Sequence, residues 1–468
     1  MFTLKRGGAS PSTGPVPPAF RGLPGVGALP ELLSKQVGFL IEAQQKHGDI
    51  YTLDLGLVKM LVLNSPAHGQ HVLRDNVRNY RKFGEFWEII QELAGNTLPV
   101  REGDSWLGLR RMMQPHFHLQ KLSAMTDLMV EAIDVELQKW AAPERQPLEL
   151  TKALGSVALE FIIRVLFGKG VPEEELRPLV RAMLYVSGGP GRAHYISRNF
   201  LFRSLRKWLP VVPEGLKAAQ KRHEVDELMH GILLRHRELL RHDPTLFGML
   251  LNLVEDKTSA PLSDQEICDE ALSFFAAGFE TTATALAWAM HFLLQRPDKL
   301  AKLKREVDTV LGQSKPTFES LHKLTYSRMV FQEAMRLRPP AWFMTRTAIK
   351  DDVIGGYPVP AGTVVMVPMY MYHHHPEHWE NPEAFDPERF SPERSVGRHA
   401  LAWMPFGAGQ RLCIGRDLSI AEGQLILAMA LQRYDFTPVP GRTVKPRFSV
   451  IMGPRGGVLA HVSRRPMS

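Results

Sequence analysis

Apolar residues recur at helical spacing over much of the chain, from about residue 65 to 297, with breaks at Pro99, Pro190, Pro210 and Pro261. Ahead of this region, residues 50–55 and 59–63 alternate as two short strands around Gly56 and predict a β-hairpin. From Thr345 to Tyr372 the pattern changes: β-branched residues are punctuated by Gly355, Gly356, Pro358, Pro360 and Gly362, as in strands and turns. A second strand-and-turn region runs from Phe436 to Val462. The longest helix predicted extends from Ser263 to about Gln295, with Ser263 and Glu266 as a capping box and Pro297 closing its far end. At about 1.5 Å per residue, roughly 30 residues make a rod of about 45 Å, the width of a domain. A further helix follows Cys413, where Ile414, Leu418, Ala421, Leu425 and Met429 share one face. The fold class predicted is mainly α with a small β region.

Composition narrows this picture. Residues 1–30 are rich in Pro, Gly and Ser and predict an extended, partly disordered arm. No linker-like composition follows residue 35, so residues 31–468 are expected to form a single domain. Lys plus Arg exceeds Asp plus Glu by 57 − 49 = 8, which admits an acidic protein partner or an anionic surface. No basic cluster interleaved with stacking aromatics accompanies it, and nucleic acid is not expected. Cys268 and Cys413 make no disulfide framework and suit a reducing, cytoplasmic compartment. No window approaches about 18 apolar residues, so no transmembrane anchor is expected.

One of the two cysteines lies in unusual company. Residues 406–415 read Phe-Gly-Ala-Gly-Gln-Arg-Leu-Cys-Ile-Gly. Gly407, Gly409 and Gly415 allow tight turns and close approach of backbone to a flat partner. Cys413 stands just before a helix, whose free amides and dipole favour a thiolate. The residue types suit a metal-binding thiolate; a buried, inert thiol is the alternative.

The order of Phe406, Gly409, Arg411, Cys413 and Gly415 resembles the haem-binding signature of the cytochrome P450 family, and four other stretches carry the same resemblance. In the long helix, Ala277, Gly278, Glu280, Thr281 and Thr282 are similar to the family's oxygen-binding motif. Glu333 and Arg336 resemble its Glu-x-x-Arg pair, and Pro387 to Phe390 its Pro-Glu-Arg-Phe segment. Trp106 and Arg110 resemble its Trp-x-x-x-Arg helix.

The resemblance implies the cytochrome P450 fold and a haem b cofactor with Cys413 as the axial iron ligand. The implied cofactor-binding residues are Trp106, Arg110, Ala277, Gly278, Arg346, His373, Phe406, Gly407, Arg411, Cys413 and Gly415. Among these, Trp106, Arg110, Arg346, Arg411 and His373 are matched to haem propionates, and Gly278 to the space over the iron. Glu280 and Thr281 are implied as catalytic, since cleaving bound oxygen requires delivered protons. Glu333, Arg336 and Arg389 are implied as a buried structural triad that secures the cysteine loop. The run His373-His374-His375 is not expected to bind metal, because successive residues of a strand point to opposite faces.

The implied activity is a monooxygenase reaction on a medium-sized apolar substrate, a terpenoid or steroid ahead of a fatty acid. Phe86, Trp87, Phe275, Trp342, Phe343, Ile451 and Met452 are expected to line the pocket; Phe83, Ile90, Leu184, Tyr185 and Phe274 lie in the same stretches. No dinucleotide or flavin motif is present, so electrons are expected from a separate ferredoxin, flavodoxin or reductase. Arg394, Arg398 and Arg416 are expected to offer that partner a basic face. Two rivals keep the haem but change the function: a peroxide-using peroxygenase, or a haem sensor or electron carrier without turnover. Residues 198–208 mix aromatics with arginines; a solvated amphipathic helix is the favoured reading and contact with a membrane surface the alternative.

Overall fold

A computed structural model describes residues 14–466, apart from 21, 57, 85, 86, 89, 92–94, 141–145, 188–212 and 254–261. Phe86, Arg192, residues 198–208 and the breaks expected at Pro190, Pro210 and Pro261 lie outside the described residues.

Five helices frame the interior: α1 (Gly103–Met113), α2 (Leu150–Phe167), α3 (Asp264–Leu294), α4 (Thr325–Leu337) and α5 (Arg416–Arg433). The longest, α3, begins as its sequence predicts: the Ser263 side chain accepts from the Glu266 amide and the Glu266 carboxylate accepts from the Ser263 amide. Burial is nearly continuous along α3 from Ala271 to Phe275 and again from Thr282 to Met290, so the helix runs through the core. Its apolar residues join those of α2, α4 and α5 in one large cluster.

A second cluster lies beneath a six-stranded sheet. Its strands are β1 (Ala19–Phe20), β2 (Ile50–Asp54), β3 (Lys59–Leu63), β4 (Tyr80–Arg81), β5 (Met344–Ala348) and β6 (Val364–Val367), in spatial order β1-β2-β3-β6-β5-β4. The expected hairpin is β2–β3, antiparallel with Ile50 opposite Leu63 and Asp54 opposite Lys59. Strand β6 adds parallel to β3, and β5 antiparallel to β6, which carries Arg346 into the interior.

Within residues 14–30, Ala19 and Phe20 pair in parallel with Thr52 and Leu53, Ala28 is fully buried, and a helix begins at Leu29. One expectation is corrected here: Met369–His373 is a short helix following Pro368 and not strand.

Candidate active site

Cys413 sits where a tight loop meets the N-terminus of α5. Its amide donates to the Phe406 carbonyl at 2.9 Å, and the Gly407 amide donates to the Met404 carbonyl at 2.9 Å. Gly407 and Gly409 hold φ of 75° and 68°, where a side chain is strained, and a Cβ on Gly409 would fall 2.0 Å from the Leu73 carbonyl oxygen. Gly415, with φ of −82°, serves as the N-cap of α5 with its amide directed to the Cys413 sulfur.

The Cys413 side chain is accessible although protein encloses it, as a group facing an internal space must be. Burial pushes the thiol above its ordinary range, while the Gly415 amide and the charges of Arg110, Lys82 and Arg416 oppose that rise. The helix terminus therefore favours the thiolate, as its sequence position implies, but desolvation outweighs it in the free protein. A bound metal ion would take the place of the proton.

Four cations converge on this space. Arg346 on β5 is buried, and burial together with the neighbouring Arg411 pushes it down to about 10. The Arg411 guanidinium lies 3.8 Å from the Trp106 ring centre, donates to the Arg101 carbonyl at 2.7 Å and pairs with Glu102 at 2.6 Å. Arg110 on α1 is half-buried, bonds Gln114 at 3.1 Å and feels Cys413. Lys82 donates to the Pro99 carbonyl at 2.7 Å, and burial, then Arg346 and Arg411, hold its ammonium well below the usual range. Arg111, next to Arg110 in α1, is exposed.

Glu102 is the carboxylate that this group shares, through Arg411 and the Lys82 amide. So many desolvated cations around one carboxylate are costly unless a further anion joins them. A flat group with two carboxylates and a thiolate-seeking metal fits these donors, and haem is such a group. Lys82 is the member that sequence alone missed, because its place depends on a fold that brings residue 82 to residues 346 and 411.

The middle of α3 breaks the helix's burial. Ala277 is exposed although the helix around it is buried, and Ala276, Phe279, Glu280 and Thr281 are partly so. The Thr281 hydroxyl donates to the Ala277 carbonyl at 2.7 Å, one turn back on the same face. A Cβ on Gly278 would strike Ile162 of α2 at 2.8 Å, so its small size permits close packing of α2 on α3. Thr282 turns away from the space and meets Ser419 of α5, oxygen to oxygen, at 3.2 Å. It also contacts Glu422, whose burial lifts its carboxyl well above the ordinary range. Sequence reasoning passed over Glu422, a lone acid in the apolar run of α5.

Glu333, Arg336 and Arg389 meet as expected. Arg336 forks onto Glu333 at 2.7 and 2.9 Å, Arg389 approaches Glu333 at 3.4 Å, and the Asp386 amide donates to Glu333 at 3.0 Å. Arg336 also donates to the carbonyls of His373 and Pro382, each at 2.8 Å. His373 was expected at a propionate. Instead its Nδ1–H donates to the Arg336 carbonyl at 3.2 Å and its Nε2 accepts the Met404 amide at 2.9 Å. Both nitrogens are used inside the protein, and burial, then Arg336, push the ring down to about 3, so it is neutral. His374 is partly buried, its ring stacked on Tyr370 at 4.0 Å.

The expected substrate residues divide. Trp87, Phe343 and Ile451 are partly accessible, as are Ile90, Leu184 and Tyr185. Trp342 is 8% exposed and donates to the Ser449 carbonyl at 2.7 Å. Phe275 and Met452 have no accessible surface: Phe275 packs on Phe279, and the Met452 carbonyl accepts the Trp288 indole N–H. Those two are core residues. The expected basic face is also weaker than its residues imply. Arg394 pairs with Asp386, Arg416 with Asp417, and Arg398 lies over Trp379 at 4.3 Å.

Comparison with known proteins agrees with this geometry. Residues 17–460 match the family model described as cytochrome P450. Cyclooctat-9-en-7-ol 5-monooxygenase of Streptomyces melanosporofaciens is 31% identical, over 85% of this chain and 84% of its own length. Cyclooctatin synthase from the same organism is 30% identical, over 92% and 93%, and cytochrome P450 97B2, chloroplastic, of Glycine max is 30% identical, over 87% and 80%. The fold is similar to that in the crystal structure of the cytochrome P450DA heme domain, with a TM-score of 0.82 and 24% identity over 97% of this chain and 98% of that one. Among the described residues, no helix is long and apolar enough to cross a membrane.

Proposed function

Since the chain belongs to the cytochrome P450 family, we propose that it is a haem monooxygenase with Cys413 as the iron ligand and an apolar, terpenoid-like molecule as substrate. The observation that carries this is the accessible Cys413 thiol among buried cations; the Ala277–Thr281 stretch is an accessible break in the otherwise buried helix α3. Haem, when bound, supplies oxygen activation; the chain supplies position and protons. Arg346, Arg411, Arg110 and Lys82 hold the two carboxylates, and Trp106 keeps the Arg411 guanidinium flat. Because the Thr281 hydroxyl gives its hydrogen to the Ala277 carbonyl, its oxygen lone pairs are left to accept a hydrogen bond. Glu280, one residue earlier, relays protons towards that oxygen.

Phe343, Trp87 and Ile451 exclude water and give apolar area for binding at about 25 cal/mol per Å². The relative named cyclooctat-9-en-7-ol 5-monooxygenase favours a terpenoid over a steroid or fatty acid. A separate ferredoxin or flavodoxin with its reductase supplies electrons, in the cytoplasm. The test is a spectral titration of the ferric enzyme with a polycyclic terpene alcohol, a steroid and a saturated fatty acid, followed by turnover with a surrogate ferredoxin system. A low-to-high spin shift and oxygenated product with the terpenoid support the proposal. Spin shifts confined to charged, hydrophilic compounds would overturn the substrate class.

A further inference from the structure

The histidine run holds more chemistry than its three consecutive members show. His373 and His374 turn inward, but the chain then makes a helical turn in which the amides of His378 and Trp379 donate to the His375 carbonyl at 3.0 and 3.1 Å. Residues three apart on such a turn share a face, and the rings of His375 and His378 stand 5.3 Å apart. One nitrogen of each ring and one carboxylate oxygen of Glu377 lie within 4.8 Å of one another. We infer that His375, Glu377 and His378 form a binding site for a divalent transition-metal ion of the zinc class, completed by water.

His375 Nε2 stands 3.9 Å from the Asp49 carboxylate, too far for a hydrogen bond, and its Nδ1 accepts the Glu377 amide at a long 3.4 Å, a weak bond that a metal ion can replace. His399 is near, 5.7 Å from His378 between ring centres, but its Nδ1 lone pair already accepts the Leu401 amide at 3.1 Å. That bond is shorter than the one at His375, and His399 does not join the cluster of His375, Glu377 and His378.

Tetrahedral zinc with bonds of about 2.0–2.1 Å needs ligand atoms about 3.4 Å apart. Exposed Glu377 and half-buried His378 close that gap by side-chain rotation, while buried His375 stays fixed. Two imidazoles and a carboxylate favour zinc, nickel or copper over magnesium or calcium. The cleft alongside carries Arg389, Arg394 and Arg398, whose charge opposes a cation. Arg394 is paired with Asp386 and Arg389 with Glu333, however, and Arg398 is spent on the carbonyls of Arg389 and Arg394.

The test is calorimetric titration of zinc into untagged holoenzyme, for the wild type and for His378→Ala, Glu377→Gln and His399→Ala. The wild type should bind one zinc ion saturably. His378→Ala and Glu377→Gln should weaken binding, the former by about tenfold or more, and His399→Ala should leave it within about twofold. The reduced carbon-monoxide spectrum checks that each variant keeps its haem pocket. Absence of saturable zinc binding by the wild type would overturn the proposal. So would unchanged affinity in both His378→Ala and Glu377→Gln, or a loss in His399→Ala as large as in His378→Ala.

Discussion

The Nε2 atom of His373 accepts the backbone amide of Met404 at 2.9 Å, and through that bond the buried triad reaches the cysteine loop. Arg336 fixes the His373 carbonyl, His373 holds Met404, and the Met404 carbonyl accepts the Gly407 amide. An unmade buried hydrogen bond costs about 1–3 kcal/mol. His373→Phe should therefore fold but hold haem loosely, with faster haem transfer to a scavenging apoprotein and a mixed reduced carbon-monoxide spectrum. His373→Gln, which can still accept from Met404, should recover part of both. Equal haem retention in His373→Phe and the wild type would separate His373 from the cysteine loop.

Removing a member of the triad should be more severe. Glu333, Arg336 and Arg389 are at most 5% exposed, so Arg336→Ala leaves Glu333 as a buried charge facing only Arg389, a loss of about 3–5 kcal/mol. Soluble yield and haem content should both collapse. Wild-type haem content in Arg336→Ala would show that the triad is dispensable.

Glu270 should make stability depend on pH. It is fully buried on α3, it accepts the Leu98 amide at 2.8 Å, and burial pushes its carboxyl up to about 8. The folded state thus keeps a proton that the unfolded chain releases near its model value of 4.5. Stability from this group is fully present below about pH 4.5 and is lost as pH rises towards and through about 8. At about 1.4 kcal/mol per unit the whole shift is worth on the order of 5 kcal/mol. Glu270→Gln, which keeps an acceptor for Leu98, should remove that dependence. Its denaturation midpoint should exceed the wild-type value by a margin that widens between pH 6 and pH 8.5; a constant margin would mean that Glu270 ionises in the fold as it does in water.

Thr281→Ala should bind haem and substrate normally but consume reductant without forming product, releasing peroxide instead. Glu280→Gln should mainly slow turnover. The measurement is the ratio of product to reductant consumed, and an unchanged ratio in Thr281→Ala would remove the threonine from proton delivery.

Much of this architecture was legible in the sequence because the signals are local. The capping box of Ser263 and Glu266 marks the start of α3, and the spacing of Glu333 and Arg336 places both on one helical face. What was missed depends on the direction in which a side chain points. Nothing local to Gly278 reveals that Ile162 will fill the space beside it. Apolar residues such as Phe275 and Met452 look alike in sequence whether they line a cavity or fill the core. Met369–His373 has a strand-like neighbourhood, but Pro368 ends the strand and the chain coils. That helix carries His373 to Met404, and the turn after it brings His375 to His378.

The central claim rests on Cys413, and the reduced carbon-monoxide difference spectrum tests it most directly. The wild type and Cys268→Ala should both show the strongly red-shifted Soret band of thiolate ligation, because Cys268 is a core thiol, 2% exposed and pushed up to about 12 by burial. Cys413→Ala should lack that band. Its persistence in Cys413→Ala, or its loss in Cys268→Ala, would contradict the assignment of the iron ligand.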